Sequence, residues 1–293
     1  MSPRQPSALA RKSTVLGRKL GGELLRLRVA AGKTQAEAAD ALSATATKVV
    51  KIERGWVPVR DPDIKALCEL YGIEERATAD SLLHLARTDR DRRRTRGWWN
   101  QYPELRAQVE YVALEDVANR VRTLQIALIP GLFQSPDYAR ALHVAAGHWE
   151  DPDEIERYVE ARIARQDRLS GERPIQVWAV IGEGALRQEV GGRDVMRAQL
   201  KQLLKLTQQP NIKVQVLPYR AGAHASMAGA FTLMSFAESS AVEVVHLDTP
   251  SSTLWLESEQ DAAHHAILFD RVARNALSQT DSRSVIRRVI EEI

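Results

Sequence analysis

Cysteine, long apolar runs and acidic residues near the start are all scarce in this sequence, and each shortage excludes something. A single cysteine, Cys68, leaves no internal disulfide and no zinc centre built on cysteines, and it suits a reducing cytoplasm. No apolar stretch approaches the roughly 18 residues that a membrane-spanning helix needs. The longest clear run, residues 175–181 with only Gln176 interrupting, is strand-sized. No acidic residue precedes Glu23, and the opening 20 residues are rich in Arg, Lys and Ser, without the apolar segment of a secretory leader. A flexible basic arm is expected over 1–17.

Catalytic motifs are missing as well. The chain has no Gly-x-x-x-x-Gly-Lys-Ser/Thr loop, no Gly-x-Ser-x-Gly elbow and no His-Glu-x-x-His helix. His143 and His148 are five apart and turn to different faces of a helix, while the adjacent His264 and His265 cannot chelate one metal from a regular helix. No catalytic residue, metal or cofactor is expected.

What is present is an ordinary soluble composition, 44 % hydrophobic and 27 % charged, over a length of 293 residues that suggests two domains. The net charge of +3 conceals an asymmetry. Residues 1–100 hold 20 Lys/Arg against 12 Asp/Glu, and the remainder 21 against 26, so the front is +8 and the back −5. A basic module joined to an acidic one points the front at a polyanion and leaves the back for another task.

In the front, Leu20, Leu24 and Leu27 line one face of a first helix that ends near Gly32. Thr34-Gln35-Ala36-Glu37 has the capping-box form and opens a short second helix, in which Ala38 and Ala39 allow a neighbour close approach. After a turn at Ser43-Ala44, a third helix runs from Thr45 to about Glu53. Val49 and Ile52 face its core, while Thr45, Thr47, Lys48 and Lys51 are left for other surfaces. Asp61 is expected to cap a fourth helix, with Pro62 in its first turn.

Short helices with a small-residue turn between the second and third form a helix-turn-helix pattern. Leu24-x-x-Leu27-Arg28, Gly32-Lys33-Thr34-Gln35 and Lys51-Ile52-Glu53-Arg54-Gly55 together resemble the Cro/phage-repressor type of DNA-binding domain, the xenobiotic-response-element family. The resemblance implies that the third helix enters the major groove of double-stranded DNA and that Gln35 reaches a backbone phosphate. Carried onto this chain, the DNA-contacting set is Gln35, Thr45, Ala46, Thr47, Lys48, Val50 and Lys51. Val50 stands where such families often carry Ser, and Ala38 where a larger aliphatic is usual. Glu53 reads as structural, paired with an arginine.

Residues 87–96 contain six arginines, which either track phosphates or form a solvated helical extension. Trp98-Trp99 then changes the character of the chain and reads as an anchor to a new core, placing the domain boundary near 96. Beyond it, helical patterning is expected over 103–127, 136–146, 152–169, 195–207, 259–278 and 281–293. Strands are expected over 175–181, 212–217, 230–236, 242–247 and 253–257. The expected organisation is a multi-domain chain: an arm at 1–17, an all-α helix-turn-helix domain at 18–75, a helical Arg-rich connector at 76–96, and a mixed α+β regulatory and dimerisation domain at 97–293.

Several longer motifs in the back half are similar to the domain that follows the Cro-type module in many actinobacterial, antitoxin-like regulators. They are residues 129–140 (Ile-Pro-Gly-Leu-Phe-Gln-Ser-Pro-Asp-Tyr-Ala-Arg), Glu160-Ala161-Arg162 with Arg165-Gln166, Gly191-Gly192 with Gln199-Leu200, and Gln215-Val216-Leu217-Pro218 with Ala221-Gly222-Ala223-His224. That resemblance identifies relatives and assigns no chemistry. The glycine-containing loop 218–231 offers Tyr219, Arg220 and His224 as a candidate regulatory pocket. The function read from all this is a cytoplasmic, homodimeric transcription regulator, not an enzyme, whose back domain senses a small-molecule ligand or a small protein partner. The rival is a phosphodiesterase-like enzyme acting on nucleic acid, although His224-Ala225-Ser226 lacks the Lys of a His-x-Lys pair.

Overall fold

The computed structural model describes residues 13–94, 97–147, 151–236, 243–249 and 252–293. The chain divides into two compact units. The front unit comprises 1–96 and takes in 236–244 and 255–261; the back unit comprises 97–235, 245–254 and 262–293. Two stretches from late in the sequence therefore belong with the front. No helix among the described residues is long and apolar enough to cross a membrane.

Among its described residues the front unit holds the five helices α1 Val15–Ala30, α2 Gln35–Ala41, α3 Ala46–Glu53, α4 Asp61–Leu70 and α5 Arg76–Arg94. The first starts five residues earlier than the leucine spacing suggests, because the Thr14 hydroxyl accepts the Gly17 N–H and caps it, and Val15 and Leu16 are fully buried. The arm expected over 1–17 therefore does not extend past Thr14; its first twelve residues lie outside those described, as do the connector's last two. The Thr34/Glu37 capping box is formed as read. Asp61 does not cap α4. It is the first helical residue, and its carboxylate accepts from Arg87 at 2.7 Å and from Arg90 at 2.6 Å.

The back unit is built on a six-stranded sheet of order β3-β2-β1-β4-β5-β6, with β1 Arg120–Gln125, β2 Gln176–Gly182, β3 Ile212–Leu217, β4 Phe231–Ser235, β5 Glu243–Thr249 and β6 Ser252–Leu256. The first three strands are parallel, and β4 runs antiparallel to β1. The other helices are α6 Val109–Val117, α7 Pro136–Ala146, α8 Pro152–Ala164, α9 Glu183–Arg187, α10 Arg193–Leu206, α11 Glu259–Asn275 and α12 Gln279–Glu292. The mixed α+β class stands, with one correction: the helix expected over 103–127 ends at Val117, and 120–125 is a central strand. Register explains its two faces. Val121 lies beside Val177 and, with Thr123 and Gln125, faces α6; Arg122 lies beside Trp178 and faces Phe269 of α11.

Trp99 is the anchor that its position suggested. It is buried with Leu105, Val112, Ala113, Tyr158 and Ala161, with Trp98 and Tyr102 packed against the group.

Candidate functional site

The face of α3 that points away from the core carries Thr45, Ala46, Thr47 and Lys51, all exposed, with Val50 half-buried between them. Local chemistry sets this orientation. Val49 and Ile52 are buried, and the Thr45 hydroxyl accepts the Lys48 N–H to cap the helix. The turn from α2 to α3 passes through Ser43 at φ 48°, a left-handed conformation that costs a residue with a side chain on the order of 1 kcal/mol.

Charges beside this face are sorted inward. Arg28 donates to both Glu53 oxygens, at 2.5 and 3.3 Å, and through another nitrogen to the Lys33 carbonyl at 2.8 Å. The Gln35 amide donates to Glu53 at 2.7 Å, so its side chain secures the start of α2 to the end of α3. Glu53 is thus a structural residue, and its carboxylate is withdrawn from any polyanion on α3. Lys48 likewise reaches Asp63 of α4 at 3.3 Å, and Arg60 binds the same carboxylate at 2.9 Å. The hydrogen bonds from Arg60 and Lys48 outweigh burial and lower the Asp63 pKa. Of the seven residues expected to touch DNA, five lie together on the outward face of α3 and its cap; Gln35 and Lys48 are engaged within the unit.

The arginine run is largely bracing. Arg87 and Arg90 bind Asp61, Arg90 also donates to the Val59 carbonyl at 2.5 Å, and Arg93 donates to Asp89 at 2.7 Å and to the Gly55 carbonyl at 2.8 Å. Asp89, 1 % exposed, also accepts from the Thr14 hydroxyl. Helix α5 is thereby tied to the start of α1, the end of α3 and the start of α4.

In the back unit, three of the four motifs that mark the family resemblance meet around the turn 129–135; the one at 215–224 does not. The Gln134 amide donates to the Ile129 carbonyl at 2.7 Å and accepts from Arg162 at 2.9 Å. Gln166 donates to the Gln134 carbonyl at 2.6 Å, and Gln199 joins Phe133 and Ser135 through bonds of 2.8 and 2.6 Å. Beside them, Arg165 and Glu115 form a buried two-pronged pair at 2.7 and 2.9 Å. Burial opposes the charge on Arg165, but Glu115 more than offsets this and raises its pKa. The Tyr111 ring contacts His246 on β5 at 4.7 Å between centroids. Burial, with a smaller contribution from Arg165, pushes the His246 imidazole down to about 4.

Tyr111, Glu115, Thr123, Gln125 and the turn at Pro130–Leu132 enclose a cavity of about 30 Å³. Small-molecule sites run to roughly 300–1,000 Å³. This cavity suits water and holds no effector of that size. Of this cluster, sequence singled out the 129–140 turn and Arg165; Tyr111, Glu115, Thr123, Gln125 and His246 were not singled out, because they come from α6, β1 and β5 and share no spacing.

Tyr219 and Arg220 are exposed on a 3-10 turn, Tyr219 at 66 %, and the Tyr219 N–H donates to Glu183 at 3.1 Å. His224 is half-buried and its Nδ1 accepts the Ser226 N–H at 3.3 Å. These three lie on one loop and do not line the cavity. Among the described residues no group of three His, Cys, Asp or Glu could hold a metal ion.

Residues 108–288 match a family described as a domain of unknown function, DUF5753, and residues 19–82 match one described as a helix-turn-helix domain. No curated protein and no solved structure matches the chain. The first match spans more than half the sequence, and the second takes in α2, the turn and α3. The chain belongs to the DUF5753 family and carries a helix-turn-helix DNA-binding domain at its front.

Proposed function

We propose that this chain is a Cro-type, sequence-specific transcription regulator that binds double-stranded DNA as a homodimer, with α3 in the major groove. The observation that carries the reading is the sorting of charge around α3: hydroxyls, two small apolar side chains and Lys51 face outward, while Glu53 is neutralised by Arg28. A helix presenting Thr45, Thr47 and Lys51 offers donors to base edges and one cation to phosphate or guanine, and the methyl groups of Ala46 and Val50 suit a thymine methyl. The test is selection of duplexes from a random pool by the full-length chain, followed by titration of Lys51→Ala. Loss of affinity for all duplexes with the salt slope reduced by about one marks a phosphate contact. Relaxed preference at one base pair marks a base contact. Unchanged affinity at low and moderate salt contradicts both.

The back domain, in this reading, receives the signal at the 218–229 loop, from a small protein partner. Tyr219 and Met227 each expose 66 % of their surface there, and an exposed apolar pair suits a protein surface better than a concave ligand site. Arg220→Ala with His224→Ala should leave DNA binding intact and abolish the response to a partner co-purified from the native host. A normal response from the double variant would place the receiving surface elsewhere.

A further inference from the structure

Helix α1 lies between the reading helix and a stretch of chain from the back half. On one side its glycines permit contact with the end of α3. A Cβ on Gly21 would stand 2.5 Å from the carbonyl oxygens of Ile52 and Glu53, and one on Gly17 would stand 2.8 Å from that of Gly55. Gly55 itself, at φ 68°, comes so close that its own Cβ would meet the Gly17 backbone at 2.4 Å. Backbone against backbone leaves no flexible side chain to absorb a shift, so a movement of α1 is transmitted to α3.

The residues between those glycines grip the segment 255–261. Arg18 Nε donates to Glu257 Oε1 at 2.7 Å, and Lys19 Nζ donates to the Glu257 carbonyl at 2.9 Å. This is more than an exposed ion pair. Lys19 is 6 % exposed, and burial lowers its pKa against the opposing pull of Glu23, Glu259, Glu257 and Glu243. Three of those four carboxylates come from the stretches 236–244 and 255–261. Removing these stretches would take from Lys19 three of the four carboxylates that stabilise its charge and leave only Glu23. A second tie joins the His84 ring to the Phe236 carbonyl at 2.5 Å.

We propose that Glu257 is a positioning residue for DNA recognition: supplied from the junction of β6 and α11, it fixes α1 through Arg18 and thereby sets the placement of α3. This rests on the DNA-binding reading of α3.

The experiment uses the full-length chain and a duplex that the wild type enriches from a random pool, compared with a scrambled duplex. Glu257→Ala should lose about tenfold in affinity for the enriched duplex, a size typical of positions that modulate coupling. Affinity for the scrambled duplex and the salt slope should be unchanged, because no phosphate contact has been removed. Arg18→Ala should lose the same, and the exchange of Arg18→Glu with Glu257→Arg should restore discrimination, which a general loss of stability would not permit. If Glu257→Ala fails to fold, Glu257→Gln must show the selective loss instead. Wild-type discrimination in folded Glu257 variants, failure of the charge exchange in a folded protein, or a salt slope lowered by Arg18→Ala would each overturn the proposal. If the wild type enriches no sequence at all, the DNA-binding reading fails and the proposal fails with it.

Discussion

Gly21 and Gly22 are neighbours in the same helix with opposite environments. A Cβ at Gly21 meets two backbone carbonyls at 2.5 Å, while one at Gly22 meets nothing within 4 Å. Alanine favours a helix interior over glycine by up to about 1 kcal/mol, and overpacking costs about 1–3 kcal/mol. Gly22→Ala should therefore raise the denaturation midpoint, and Gly21→Ala should lower it and weaken DNA binding; equal shifts for the two would contradict the close crossing of α1 and α3. Arg165 poses a similar test in the back unit. Arg165→Ala leaves Glu115, 2 % exposed, without its partner, and should destabilise by about 3–5 kcal/mol. The double change Arg165→Met with Glu115→Leu should cost much less, since neither charge then has to be held away from water; denaturant titration of both variants checks it. The outward set on α3 was legible in sequence because spacing on a short helix assigns faces. The diversion of Lys48 to Asp63 was not, because it depends on where α4 crosses.

At the scale of elements, the sequence is most legible where a terminus carries its own chemistry. Thr34 and Glu37 set the start of α2, and proline in the first turn sets those of α7 and α8. Strand β1 was hidden because its residues, Arg-Val-Arg-Thr-Leu-Gln, read as polar, although it is the centre of the sheet. Arg122 is accommodated there against the Phe269 ring and 3.7 Å from Asp270, and Thr123 by a 2.9 Å hydrogen bond to Thr232. The outer edge of β3 is closed by the α11–α12 junction: Leu277 N–H donates to the Val216 carbonyl at 2.9 Å, and Val216 N–H donates to the Ser282 hydroxyl at 2.8 Å. On β5, His246 gives the sheet a pH dependence. Its folded pKa, about 4, lies below the ordinary 6.5, so the unfolded chain binds the proton first as pH falls. Its contribution is complete above pH 6.5 and is lost progressively down to about 4, by up to about 3 kcal/mol. Unfolding titrations across this window should show the loss in the wild type and a shallower one in His246→Phe; identical slopes would contradict it.

For the whole molecule, composition foretold a basic front and an acidic back, and the change at Trp98-Trp99 separated two kinds of structure. It could not foretell that 236–244 and 255–261 return to the front unit, because that partnership joins residues more than 150 positions apart through single contacts such as His84 with Phe236 and Arg18 with Glu257. A fragment ending at 96 therefore lacks part of the front unit. It should melt below the front unit of the full chain and bind DNA more weakly, beyond any loss from losing a second subunit. A single short reading helix contacts few base pairs, and a symmetric dimer recovers affinity by occupying two half-sites about one helical turn apart.

Whether α3 reads a DNA sequence is decided by a footprint of the full-length chain on its enriched duplex. Two protected half-sites in inverted repeat are expected, centred about one helical turn apart, with protection lost when Thr47 and Lys51 are both replaced by Ala. Uniform protection of every duplex, or a footprint that survives both substitutions, would contradict it.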